Sequence, residues 1–519
     1  MPRRPNRRAF LAGLGAAAAA SAATWRQAAA VNSTPPSGLE YLTATALLAA
    51  LADKRVSAVE LVDFAIARIG ALDKSTNAVV VRDFERARTA AKDADAALAR
   101  GERRPLLGLP MTVKEQLNVA GLPTTWGNPK FRDWLPDADA LTVQRLKAAG
   151  AVVIGKTNVP LGLRDWQSYN EIYGTTNNPW NLGRTPGGSS GGAAAALAAG
   201  FVPLELGSDI GGSLRAPAHY CGVFSHKPSL DLVPQRGSTP PGTPAVPVRG
   251  DLAVMGPMAR SAADLAVELD VLAGPDEWSE GIGYRLALPP PRHDRLEDFR
   301  ALLVDTHPLC STARSVGAAL EGLSERLGKL GCRVVRDSPK LPDLARTTRI
   351  YVELLSAFLG ADLPTEDRER VEAAVKSLSA EDESLAAFRL RGLTMSHLDW
   401  VRATRVRAVL RQQWQDLFRD YDVVLCPPMP TAAFPHDHSL QRTRQIDIDG
   451  DKVPYNDQIV WAGIATLTGF PATTAPTDRT EGGLPIGVQI VGGYLGDRTT
   501  IAFAGLIERE FGGFTPPPI

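Results

Sequence analysis

Three short stretches of the sequence carry side chains able to do nucleophilic chemistry. Pro186-Gly187-Gly188-Ser189-Ser190-Gly191-Gly192 runs directly into an alanine-rich segment. Downstream, Ser213 sits within Gly207-Ser208-Asp209-Ile210-Gly211-Gly212-Ser213-Leu214-Arg215. Upstream, Lys114 closes the short apolar run Met111-Thr112-Val113 and is followed by Glu115-Gln116. Paired glycines before a serine open backbone conformations closed to other residues. Several N–H groups can then converge on one point, the requirement for holding a developing oxyanion. A lysine at the end of a buried strand can be partly desolvated, the condition under which its amine loses a proton and serves as a base. Taken singly, each stretch also has an ordinary reading. A Gly/Ser tract is the composition of a linker, a strand-end lysine is a solvated charge, and the second glycine pair is a turn. Their joint spacing is what points to chemistry.

Two tempting motifs fall away on context. The run Gly150-Ala151-Val152-Val153-Ile154-Gly155-Lys156-Thr157 has the spacing of a phosphate-binding loop. Such a loop needs a strand before it and freely turning backbone between its glycines. Here a helical pattern precedes it and the interior is Val-Val-Ile, a buried strand. Gly187-Gly188-Ser189-Ser190-Gly191 has the spacing of a nucleophile elbow, which requires an apolar strand running into the first glycine. What precedes it, from Asn177 to Pro186, is loop sequence.

The elements that must position these residues alternate in type. Ser57-Ala58-Val59-Glu60 is a capping box opening a helix whose apolar face comprises Val59, Leu61, Val62, Ala65, Ile66 and Ile69. A second helix is expected from about Phe84 to Ala99. Short apolar runs follow at Met111–Val113, Ala151–Ile154, Val202–Leu206 and Ala301–Val304, with helices at Leu141–Ala149 and Gly192–Ala199 between them. Beyond a loop-rich stretch from Pro275 to about Asp298 come a helix at Val316–Leu330 and a strand at Cys332–Val335. Residues 341–420 read as mostly helical, and strands return at Asp422–Leu425 and Ile486–Val491. Strands alternating with helices define an α/β sheet layered by helices.

The N-terminus reads as a separate device. Arg7-Arg8-Ala9-Phe10-Leu11 is a twin-arginine pair before an apolar run, with small residues at Ala20-Ser21-Ala22 and Ala28-Ala29-Ala30 offering cleavage sites. Residues 1–30 are therefore expected to be an export signal, too short for a stable membrane anchor, and 31–38 a Pro/Ser linker. Cleavage near Ala30 removes five arginines and no acidic residue, turning a chain of 57 basic and 57 acidic residues mildly acidic. Nothing in that balance suggests a nucleic-acid partner. Cys221, Cys310, Cys332 and Cys426 lack metal-type spacing and imply no disulfide scaffold. The seven histidines do not pair at metal-ligand spacing either.

Taken together, Gly187 through Arg215, with Lys114 and the Lys227-Pro228 that follows, resemble the amidase signature family. The likeness runs from about Leu39 to Glu510 and includes Gly469-Phe470-Pro471-Ala472 and Gly483-Leu484-Pro485-Ile486-Gly487-Val488-Gln489. The resemblance implies one catalytic domain over 39–519, with a large mixed β-sheet core flanked by α-helices. It implies an amide hydrolase working through a Ser–cis-Ser–Lys triad and an acyl-enzyme, releasing an acid plus an amine or ammonia. Ser213 matches the nucleophile, Ser189 the bridging serine behind a cis peptide, and Lys114 the base. The backbone N–H groups of Ile210, Gly211, Gly212 and Ser213 match the oxyanion hole, and Ser190, Asp209 and Arg215 match supporting positions. No metal or organic cofactor has a role in that chemistry. The expected partner is a small-molecule amide, and a homodimer is compatible with the sequence. An esterase or carbamate hydrolase on the same triad, and an exported binding protein without the chemistry, are the alternatives. Export argues against the glutamyl-tRNA amidotransferase branch, and the lack of an anchoring helix against the membrane-bound fatty-acid amide branch. Periplasmic or extracellular localisation follows. Substrate-binding residues are not identified, although Trp126, Trp166 and Trp180 fall in loops near the signature and suit either an apolar pocket or packing.

Overall fold

A computed structural model of the protein describes residues 38–519; the twin-arginine segment and most of the linker lie outside them. The first long helix, Ala58–Thr76, starts as its sequence dictates. Ser57 accepts from the Glu60 N–H, while the Glu60 carboxylate accepts from the Ser57 N–H at 2.8 Å. Leu61, Val62, Ala65 and Ile69 are buried, whereas Val59 and Ile66 are half-buried at the edges of that face. The Phe84–Ala99 helix packs alongside it.

Both helices lie on an eleven-stranded mixed sheet. Its order is Val79–Arg82, Val152–Thr157, Pro110–Lys114, Leu204–Asp209, Val254–Ala259, Phe224–Lys227, Ala472–Arg479, Pro485–Val491, Val423–Cys426, Arg300–Leu303 and Arg333–Val335. The Pro110–Lys114 strand runs parallel to both of its neighbours, and every residue of the three is buried. Parallel strands covered on both faces read as continuous apolar runs for this reason. Antiparallel pairing dominates the middle, and parallel pairing returns at the far edge. One hydrophobic core cluster extends from Ala44 to Ile507, so the described chain is a single domain. Among the described residues, no helix is long and apolar enough to cross a membrane.

Gly155, Lys156 and Thr157 all belong to a strand, so the run from Gly150 is no phosphate loop. Residues 341–420 form four helices: Leu344–Leu359, Thr365–Ser377, Leu385–Leu393 and His397–Asp420. The strands Phe224–Lys227, Val254–Ala259 and Ala472–Arg479 are not signalled by the sequence pattern, and Val79–Arg82, also absent from the expected strands, is signalled only by its three valines.

Two parallel neighbours set the position of the site. Lys114 and Asp209 are the last residues of adjacent strands paired Val113 to Leu206, so both emerge at the carboxyl edge of the sheet. The fully buried Gly191–Ala198 helix begins at the same edge. Its Gly192 lies so close to Asn158 that a Cβ would run into backbone atoms of that residue and lie 3.0 Å from the Ala78 carbonyl oxygen. Gly192→Ala should therefore lower unfolding free energy by about 2–3 kcal/mol, since backbone cannot yield as a side chain does. Gly70→Ala, in an exposed turn of the first long helix with nothing within 4 Å, should raise it by about 0.8–1 kcal/mol. Chemical denaturation of the two variants checks both signs.

Candidate active site

Lys114 is fully buried, and its Nζ donates to Ser189 Oγ at 2.6 Å and to Ser208 Oγ at 2.8 Å. Burial pushes the amine down to about 7, against the pull of the Asp209 and Glu205 carboxylates. The Ser208 hydroxyl donates its own proton to Gln116 Oε1, so towards Lys114 it can only accept. One N–H of the amine is thereby committed to Ser208, and a neutral amine keeps its lone pair for Ser189. The Gly188–Ser189 peptide is cis. A Cβ on Gly188 would collide with the Asp165 carbonyl, which explains the second glycine of the pair.

Ser189 and Ser213 both open onto one cavity of about 570 Å³, shared with Ile210 and Gly211. Ser190 ties the two serine stretches together behind it. Its N–H donates to the Ser213 carbonyl at 3.2 Å, and its Oγ donates to the Ser208 carbonyl at 3.2 Å.

The chain between Asp209 and Ser213 is held by a buried ion pair. Arg215 donates to both Asp209 oxygens, at 3.0 and 2.8 Å, and also reaches the Ala462 carbonyl, Gln489 Oε1 and Thr466 Oγ1. Burial alone would raise the Asp209 carboxyl; the Arg215 charge and hydrogen bonds overcome it and hold the group at about 2. Asp209 accepts in addition from the N–H of Gly212 and of Leu214.

The Gly212 contact corrects the expected oxyanion hole. The Gly212 N–H is spent on Asp209 at 2.9 Å, so it is not free to receive an oxyanion. The N–H groups of Ile210, Gly211 and Ser213 carry no hydrogen bond among the described residues. Two side chains fix how these peptides face. Tyr351 Oη donates to the Ile210 carbonyl at 2.6 Å and Trp166 Nε1 to the Gly211 carbonyl at 2.9 Å. Because a trans peptide points its C=O and N–H in opposite directions, the Tyr351 contact turns the Gly211 N–H the other way.

Depressed lysines occur elsewhere, and geometry separates them. Burial lowers Lys156 to about 8 and Lys227 to about 7. Lys156 donates to the Pro123 carbonyl and Thr124 Oγ1, and Lys227 to the carbonyls of Pro228 and Phe470. Neither lines the cavity. The same holds for every histidine: His219 bonds the Thr431 carbonyl and the Gly487 N–H, and His226 bonds Thr473 and Asp497. Trp126 and Trp166 line the cavity, but Trp180 does not. It donates to the Cys221 carbonyl, with Arg479 over its ring, and is a packing residue. The four cysteines are buried and unpaired.

Sequence reasoning assigns no role to Ser208, Gln116, Tyr351 or Gln489. Gln489 has a signal, a polar residue inside the apolar strand Ile486–Val491. Tyr351 has none, since its partner lies 141 residues away.

Sheet, helical layers and a cavity holding two serines above a buried lysine define an α/β enzyme. The chain belongs to the amidase family, whose sequence pattern, described as Amidase, matches residues 60–501, and it acts on amide C–N bonds. It is 33% identical over 512 residues to a glutamyl-tRNA(Gln) amidotransferase subunit of Anaeromyxobacter dehalogenans (strain 2CP-C), covering 94% of this chain and 99% of that one. It is 35% identical over 483 residues to the chain named as a putative amidase, AmiB2, in Mycobacterium tuberculosis (strain ATCC 25618 / H37Rv), covering 91% and 97%. A chain from a solved structure, described as a vestigial protein complex that reveals the evolutionary origins of an s-triazine catabolic enzyme, superposes with a TM-score of 0.75 at 30% identity, covering 91% of this chain and 99% of that one.

Removing Arg215 tests the ion pair. Arg215→Met leaves a buried, unpaired carboxylate and should cost about 3–5 kcal/mol at neutral pH. In the native protein, a carboxyl held at about 2 contributes stability that is fully present above the ~3.9 of an unfolded aspartate. That contribution is lost as pH falls through about 2. Urea denaturation between pH 7 and pH 2 should therefore show the gap between native and variant proteins closing on the acid side.

Proposed function

We propose that the protein hydrolyses carboxylic amides through a Ser213–Ser189–Lys114 relay and an acyl-enzyme. The observation that carries this reading is the 2.6 Å contact between a buried amine and a serine facing the same cavity as Ser213. Neutral Lys114 takes the proton of Ser189 as Ser189 takes that of Ser213, and Ser213 Oγ bonds to the amide carbon. The carbonyl oxygen becomes an oxyanion received by the N–H groups of Ile210, Gly211 and Ser213. The proton then returns through Ser189 to the leaving nitrogen, the C–N bond breaks, and amine or ammonia departs. Water repeats the cycle on the ester, giving the acid and restoring the Ser213 hydroxyl. Ester and carbamate carbonyls enter the same cycle, because the relay does not distinguish the leaving atom. Ser208 and Gln116 support it by keeping the lysine lone pair on Ser189.

The relatives include a chain named as belonging to a glutamyl-tRNA(Gln) amidotransferase, and the order of residues 1–38 supports a different setting. We infer a free-standing amidase, exported through the twin-arginine route, with signal 1–30, linker 31–38 and catalytic domain 39–519. Fusing residues 1–38 to a reporter should send it out of the bacterial cytoplasm. Replacing Arg7 and Arg8 with Lys should retain it inside; export unaffected by that change would remove the twin-arginine assignment.

The pH dependence tests the base. Activity needs the neutral amine, so kcat/KM should rise with pH through about 7 and fade on the acid side as Lys114 gains its proton. Ser213→Ala should lose at least about a thousandfold in rate with folding intact. Lys114→Arg should not restore the activity lost in Lys114→Ala, because a guanidinium stays charged. Gln116→Leu frees the Ser208 proton to occupy the lysine lone pair, and should lower kcat about tenfold with little change in KM. A profile flat from pH 5.5 upward, or an active Lys114→Arg protein, overturns the relay.

A further inference from the structure

The walls of the cavity say more than its chemistry does. The lining passes from a buried floor to an exposed rim. Trp166, Met255, Val352, Leu355 and Ile459 are each under a tenth exposed, while Phe358 and Val248 are about two-fifths exposed. A volume near 570 Å³ falls in the range of about 300–1,000 Å³ typical of sites for drug-sized molecules.

Most charged groups on this surface are engaged, and Arg164 and Asp362, which form no ion pair among the described residues, lie at its exposed rim. Asp209 is matched by Arg215. Asp165 accepts from Arg444 at 2.6 Å and from Tyr455 Oη at 2.6 Å. Arg389 donates to the Asn456 carbonyl and to Asp457. Arg249 pairs with Asp231 and Glu280 at the rim, where Arg164 and Asp362 are also exposed. No uncommitted cation or anion faces the buried part of the cavity among the described residues. An ionised substrate group carried there would lose its water and meet only apolar side chains and engaged charges, which costs several kcal/mol.

We propose that this cavity selects uncharged amides bearing an extended aliphatic or aromatic substituent, which lies along Val352, Leu355 and Ile459, and that it rejects amides whose substituent ends in a carboxylate or an ammonium. This rests on the hydrolase reading for turnover but not for binding. The helix Leu344–Leu359 is thus the specificity wall, separate from the segments that carry the relay. Free glutamine, charged at both its amino and carboxyl groups, is excluded on the same ground.

Length-matched p-nitroanilides test the selection in the full chain: octanoyl, suberoyl with a free carboxylate, and ω-aminooctanoyl. The neutral compound should exceed either charged one in kcat/KM by at least about a hundredfold, and glutamine should not be turned over. Leu355→Arg should narrow the gap between octanoyl and suberoyl compounds at least tenfold. A second measurement keeps the question open to refutation should that variant fail to fold. Calorimetric titration of Ser213→Ala with octananilide and with its suberoyl counterpart should give binding at least about a hundredfold tighter for the neutral ligand. Equal binding of the two, binding of neither, or turnover of glutamine in preference to octanoyl p-nitroanilide overturns the proposal. Tight, selective binding of octananilide without turnover by the native protein overturns the hydrolase reading and leaves the pocket standing.

Discussion

A carboxylate and a guanidinium meet, fully buried, where the strand Leu204–Asp209 gives way to the helix Arg215–Cys221. Stripping two such ions of water costs several kcal/mol each, and their attraction offsets that only when the remaining hydrogens and lone pairs are also used. Here they are. All five N–H donors of Arg215 have acceptors, and Asp209 receives two backbone N–H groups besides the arginine. Those acceptors beyond Asp209 come from the helix Val460–Thr468 and the strand Pro485–Val491, far along the chain from the serines. The pair therefore does two things at once. It bends the backbone around Ser213 and fastens that bend to the C-terminal half of the sheet.

With the bend fixed, the position of Lys114 decides what the two serines can do. Three buried lysines have depressed amines, so burial by itself confers no role. The acceptors differ. A carbonyl oxygen offers no proton, so the partners of Lys227 can only keep its amine as a donor, and Lys156 faces a carbonyl and a threonine away from the cavity. Lys114 instead meets a serine at the cavity surface, and the Gln116–Ser208 pair removes the competing hydroxyl proton. In the proposed relay, proton direction is thus set by a hydrogen-bond chain that starts at Gln116, outside the relay itself.

How much of this was legible in the sequence depended on how local the cause was. The capping box at Ser57, the continuous apolar strands around Lys114, and the glycine pairs beside Ser189 and Ser213 announce themselves within a few residues. The strands Phe224–Lys227 and Val254–Ala259 do not. The first buries Ser225, His226 and Lys227, the latter two with their polar atoms engaged across the sheet, and the second contains Gly256 and Pro257. Hydrophobic periodicity fails where polar side chains are satisfied by tertiary partners. The state of the Gly212 N–H is hidden from the sequence for a related reason. Its capture by Asp209 depends on a loop closing back on itself, which spacing alone does not specify.

Tyr351 and Leu355 couple the proposed selection to the proposed chemistry. Both belong to the helix Leu344–Leu359, one turn apart. Leu355 lines the cavity, while the Tyr351 hydroxyl holds the Ile210 carbonyl and so orients the Gly211 N–H. The helix that forms one wall of the cavity is therefore also a brace for the peptide proposed to receive the oxyanion. A cluster built this way cannot be widened by shifting the helix without releasing that peptide. Changes of substrate range are compatible with retained rate only when they alter side chains such as Val352, Leu355 and Phe358 and leave the helix axis where Tyr351 needs it.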